Sequence, residues 1–137
     1  MERMELTYDK TGVFSGLTAI NPATGREIPV WISDFVLITY GTAAIMSVPC
    51  GDQRDWDFAT KYSLEIPQIV KPNVEWDFGK GAYSDYDGVM VNSGPINGLP
   101  VQEAIPAAIK WLLAEGKGEA TVSYHLRDWI FSRQHYW

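Results

Sequence analysis

Between Val13 and Val48 the apolar residues come in short runs, each of strand length and most closed by a turn signal. That punctuation restricts the first third of the chain to β-structure. Val13 to Ile20 is apolar and ends in Asn21-Pro22-Ala23-Thr24-Gly25, a turn that leads into a second strand carrying Ile28, Val30 and Ile32 on one face. Phe35 to Tyr40 reads as a strand covered on both faces, and after a tight Gly41-Thr42 connection Ala43 to Val48 reads as another buried strand. The expectation is a meander that forms a small barrel or sandwich.

After Pro49 the period changes. Asp52 is a good N-cap and Asp55 stands three residues on, as in a capping box, with Trp56, Ala59 and Lys61-Tyr62 continuing a short helix. Ile66 to Val70 is a predicted strand, 71–88 a long loop with no clear period, and Val89 to Val91 a further strand. Turn signals fill 93–100. A second, amphipathic helix spans Val101 to Glu115, with Ala104, Ala108, Trp111 and Leu112 on one face. Pro106 suits only a first turn, so that helix is expected to begin near Ile105, and Gly116 ends it. Thr121 to Leu126 is the last predicted strand. The fold class is α+β, rich in β-structure, with two helices.

A chain of 137 residues with 46% hydrophobic and 20% charged residues is an ordinary globular domain. No apolar run has the length of a membrane span, and the charged N-terminus is unlike a signal peptide. Cys50 has no internal partner for a disulfide, and with only His125 and His135 beside it a Cys/His zinc site is not expected. A reducing, cytoplasmic setting follows. The net charge of -6 argues against a free-standing nucleic-acid binder, since phosphate contacts call for a basic face.

Few residues offer chemistry. Asp52 and Asp55 lie one helical turn apart, where paired carboxylates can do acid–base work or anchor an ammonium group, or simply cap the helix. Cys50 has no neighbouring His to activate it and reads as a small buried residue. Gly41-Thr42 lacks the Gly-Lys-Ser/Thr of a phosphate loop. The aromatic residues from Trp76 to Tyr86 suit base stacking or packing beneath the long loop. Read from the residues alone, the chain is a β-rich α+β domain with a carboxylate pair at a helix start.

Several ordered blocks nonetheless resemble the editing domain of leucyl-tRNA synthetases. They are Asn21-Pro22-x-x-Gly25 with Ile28-Pro29-Val30-Trp31-Ile32; Tyr40-Gly41-Thr42 with Ala44-Ile45-Met46-Ser47-Val48-Pro49; and Asp52-Gln53-Arg54-Asp55 with Phe58-Ala59. Asp87-Gly88-Val89, Asn92-Ser93-Gly94 and Asn97-Gly98-Leu99 continue the series. Arg127-Asp128-Trp129 and Ser132-Arg133-Gln134-His135-Tyr136-Trp137 resemble the return to the synthetic core. Valyl and isoleucyl enzymes share the Gly-Thr turn and a late Asp, but Met-x-Val-Pro and Asn-Ser-Gly favour the leucyl type. The resemblance implies the C-terminal part of a barrel-like editing domain over 1–120, followed by a linker strand and the start of the return over 121–137.

By that resemblance the parent enzyme hydrolyses the ester of a wrong amino acid from the 3′ end of tRNA(Leu). Asp55 would pair with its α-ammonium, Met46 would exclude leucine, Tyr40 and Val48 would lie against the terminal adenosine, Gly41-Thr42 would let the backbone approach it, and Asp52 would support the pocket edge. No cofactor is implied for editing; ATP and Mg²⁺ would serve the parent's synthetic site outside this chain. Partners would be the tRNA end, the misattached amino acid and the remainder of the synthetase, with no membrane. Three departures stand out: Gly51 replaces a frequent His, Ala43 replaces a Gly, and nothing before Thr11 resembles the threonine-rich pocket wall. The isolated chain is therefore expected to be inactive, with a non-catalytic interaction piece or a free-standing trans-editing factor as the other readings.

Overall fold

The computed structural model describes residues 11–36 and 44–121. Within them the order is β1 (Gly12–Ile20), β2 (Glu27–Ser33), α1 (Gln53–Lys61), β3 (Val70–Pro72), β4 (Gly88–Met90), a 3-10 turn (Gly94–Ile96) and α2 (Val101–Ala114). This is an α+β architecture with two helices and two antiparallel two-stranded sheets, β1–β2 and β3–β4.

The first hairpin forms where the sequence predicts it. Asn21 closes the turn: its carbonyl accepts from Gly25 N–H at 2.8 Å and its side chain from Ala23 N–H at 3.0 Å. The register shifts between Phe14 and Thr18, where Gly16 takes φ +79° and the Ser15 hydroxyl donates to the Val30 carbonyl at 2.7 Å. One face of the hairpin packs on α1 through rings. Trp31 stands edge-on to Phe58 with centroids 5.7 Å apart and lies 4.8 Å from Tyr62, while Phe14 flanks it at 5.7 Å. A Cβ on Gly12 would meet the Phe58 ring at 2.7 Å, so only glycine lets the strand come this close. The Tyr62 hydroxyl accepts from Gly12 N–H at 2.9 Å. Trp31 thus looks toward α1, and Ile32, on the other face, is left exposed beside its partner Val13.

Four expectations need correction. Residues 44–48 form no strand and are exposed, because no described strand pairs with them. The predicted Ile66–Val70 strand is displaced to Val70–Pro72: Pro67 carries no N–H for a ladder, and the Ile69 N–H turns instead to Cys50 Sγ at 3.4 Å. β4 begins one residue before the predicted Val89. α2 begins at Val101 instead of near Ile105, with Pro106 inside its second turn. Burial of Val101 and Ala104 against Val70, Tyr83 and Met90 stabilises that early start and offsets the hydrogen bond Pro106 cannot make. The helix ends as expected at Gly116, whose φ of +65° lets Lys117 N–H reach the Leu112 carbonyl at 2.9 Å. The strands predicted over Phe35–Tyr40 and Thr121–Leu126 fall almost wholly outside the described residues.

Candidate functional site

The site grows from the start of α1. Asp52 is the N-cap: its Oδ1 accepts from Arg54 N–H at 2.8 Å and Asp55 N–H at 3.3 Å. The Arg54 guanidinium folds back to Asp52 Oδ2 at 3.1 Å, and this hydrogen-bonded cation holds the Asp52 carboxyl below its ordinary range. Both Asp52 oxygens are therefore engaged within the first turn.

Asp55 is the only buried charged or polar side chain among the described residues, at 9% exposure. The predicted capping box is only half formed. Asp55 does not return to the Asp52 backbone; its Oδ2 accepts from Val48 N–H at 2.7 Å. A short, charge-assisted bond to a buried carboxylate is among the stronger single contacts a fold makes. It ties the irregular segment 44–48 to the helix that carries Asp55. Along that segment Ile45 and Met46 are 47% and 56% exposed, and Val48 37%. Of the sequence-predicted site residues, Asp52, Asp55 and Val48 are thus brought together, with Met46 two residues from Val48 and open to solvent. Tyr40, Gly41 and Thr42 lie outside the described residues.

Sequence reasoning missed a strap over the same end of α1. Residues 76–83 cross it, held by Gln53 Oε1 accepting from Ala82 N–H at 3.0 Å, by Trp56 Nε1 donating to the Phe78 carbonyl at 3.0 Å, and by Tyr83 N–H donating to the Cys50 carbonyl at 2.8 Å. Gly81 fits because a Cβ there would stand 3.0 Å from Gln53 Oε1. Tyr83 is buried in the core, its hydroxyl donating to the Asp87 carbonyl at 2.7 Å. Burial, reinforced by Asp85 and Asp87, raises the pKa of that phenol. The three contacts link residues 22 to 33 positions apart, so no local pattern announces them; the Trp and Gly of the loop were the available hint.

Between the Val48–Asp52 corner, the strap and α2 lies an apolar cleft of about 400 Å³, with Tyr86 and Ile105 on its walls. A larger polar cleft of about 620 Å³ sits at the hairpin turn, among Arg26, Glu65, Gln68, Asn92 and Asn97. Its side chains are spent on one another and on nearby backbone: Arg26 pairs with Glu65 at 2.8 Å, Asn92 donates to the Gln68 carbonyl, and Asn97 accepts from Ser93 N–H. Among the described residues no three His, Cys, Asp or Glu side chains gather to hold a metal ion, and no helix is long and apolar enough to cross a membrane.

Comparison with known proteins follows this geometry. Residues 1–113 match the family model described as leucyl-tRNA synthetase, editing domain. The chain belongs to that family. It is 52% identical over 141 aligned residues to a leucine–tRNA ligase of Chlorobium limicola, covering 100% of this chain and 17% of that relative. The chain therefore spans about one-sixth of the length of the curated relative it matches.

Asp52 gives a pH-dependent expectation. Because its folded pKa lies below the unfolded one, the ionised form stabilises the fold above about pH 4, and that stability is lost as pH falls through the folded value. Asp52→Asn keeps the cap but loses the Arg54 pairing, which is exposed and worth less than about 1 kcal/mol. Urea unfolding from pH 7 to pH 2 is expected to show wild type slightly more stable at neutrality, with the gap closing in acid. A gap independent of pH would rule out the ion pair as its source.

Proposed function

We propose that this chain is part of the editing domain of a leucine–tRNA ligase and contributes one wall of a site that hydrolyses misacylated tRNA(Leu). The Val48 N–H bond to Asp55 carries this reading, because it joins the segment bearing Met46 and Val48 to a buried carboxylate. A synthetic pocket that selects leucine rejects a ligand one methylene or branch different by only about 1–3 kcal/mol, so a second, hydrolytic sieve is needed.

In that reaction water adds to the ester carbonyl, the bond to the ribose oxygen breaks, and amino acid and free tRNA end leave. Asp55 receives the α-ammonium group through charge. Met46 sets the pocket size and excludes cognate leucine. Val48 lies against the terminal adenosine with Tyr40, Gly41 and Thr42, and Asp52 holds the pocket edge by fixing the helix start. No protein general base is required if backbone and substrate hydroxyls position the water. ATP and Mg²⁺ serve the parent's synthetic reaction, outside this chain; the tRNA end and the remainder of the enzyme are the partners. Residues 121–137 would lead back toward the synthetic core.

The test is deacylation by the full-length ligase. Wild type is expected to deacylate mischarged tRNA(Leu) and spare leucyl-tRNA(Leu). Met46→Ala should enlarge the pocket by several side-chain atoms and admit leucine, raising hydrolysis of the correctly charged tRNA about tenfold or more, as loss of a steric contact worth about 1–3 kcal/mol implies. If leucyl-tRNA(Leu) stays intact in Met46→Ala, Met46 is not the residue that sets the size limit.

A further inference from the structure

The apolar cleft beside Asp52 has no role in the chemistry above. One wall is Val48, Gly51 and Asp52; the strap supplies Ser84, Asp85 and Tyr86; α2 supplies Ile105 and Ala108. Its volume of about 400 Å³ lies within the common range for small-molecule sites, roughly 300–1,000 Å³. Tyr86 is 62% exposed and Ile105 54%, so an aromatic ring and an aliphatic side chain stand open at the mouth.

We infer that this cleft receives the nucleobase that precedes the terminal adenosine of the tRNA 3′ end, with Tyr86 as its stacking platform. The inference rests on the editing reading and extends it by one nucleotide. Three features favour a base as the occupant. The walls are apolar, which suits the faces of a heterocycle, and an exposed aromatic side chain at the rim suits stacking. The polar rim is acidic, with Asp52 and Asp85 and no Lys or Arg lining the cleft. A phosphate is disfavoured there, whereas the exocyclic amino group of a cytosine can donate to the Asp85 carboxylate. Finally, the cleft shares Val48 and Asp52 with the proposed pocket edge, so it lies where the next nucleotide would pass.

Gln53 and Trp56 act here as positioning residues, since their bonds to Ala82 and Phe78 hold the strap that carries Tyr86.

The experiment compares two substrates in the full-length ligase: mischarged tRNA(Leu), and a 3′-aminoacyl-adenosine ester that lacks the preceding nucleotides. Tyr86→Ala is expected to raise KM for the tRNA about tenfold, the loss of one stacked base, and to leave the adenosine ester unchanged. Tyr86→Phe, which keeps the ring, should restore wild-type values on both. A tRNA with uridine in place of the penultimate cytidine should also show a raised KM, and Asp85→Asn should narrow the difference between the two tRNAs. An unchanged KM for the tRNA in Tyr86→Ala, or an equal loss on both substrates, would overturn the assignment. If wild type cleaves neither substrate, the editing reading fails and this inference with it.

Discussion

Asp55→Asn in the full-length ligase is expected to lose editing nearly as completely as Asp55→Ala, yet to keep the stability that Asp55→Ala loses. The two effects separate because the carboxylate has two tasks. One is to accept the Val48 N–H, which an asparagine carbonyl oxygen also does. The other is to hold an ammonium group, which requires the negative charge. Losing a charge-assisted contact costs roughly 1.5–3 kcal/mol, about one to two decades in deacylation rate. Asp55→Ala in addition leaves a peptide N–H without its partner, at roughly 1–3 kcal/mol of stability if that group stays buried. Deacylation kinetics and thermal unfolding of both variants provide the check. Near-normal editing with Asp55→Asn would reduce the residue to a clamp on Val48.

Gly94→Ala is expected to be among the most destabilising single changes in the chain. Gly94 sits at φ +56°, and a Cβ there would stand 2.2 Å from the Ala23 carbonyl oxygen. Left-handed backbone and overpacking against a turn together cost roughly 2–4 kcal/mol. For a domain of this size that is a fall in Tm on the order of 10 °C. Gly98 is the control: it too has a positive φ, +79°, but a Cβ there meets nothing within 4 Å. Gly98→Ala should therefore show the backbone cost alone. Equal Tm values for the two variants would mean that the Asn21–Gly25 and Asn92–Gly94 turns do not pack as described.

That close approach also shows what a sequence can and cannot disclose. The Asn21-Pro22-x-x-Gly25 turn, the Asp52 cap and the Gly116 stop were legible, because each is a local demand that one or two residues satisfy. The start of α2 was not, since a proline six residues into a helix argues against it locally and only the burial of Val101 and Ala104 reverses the balance. Ile45, Met46 and Val48 read as a buried strand because apolar composition reports the need for cover and says nothing of what provides it. The carboxylate pair was visible as a pair, but the division of labour was not. Asp52 spends both oxygens on its own helix turn, whereas Asp55 reaches back seven residues to a backbone N–H. Gln53 and Trp56 gave no sign of their roles, because their partners lie 29 and 22 positions away.

The Val48 amide has a use beyond architecture. Its proton lies in a 2.7 Å bond to the carboxylate proposed to receive the ammonium group. A cation arriving at that carboxylate draws electron density from the oxygen and weakens its hold on the amide. The Val48 resonance in a ¹⁵N-correlated spectrum should then move upfield in the proton dimension on occupancy, with no label on substrate or tRNA. Nature has placed a voltmeter one bond away from the charge it would read.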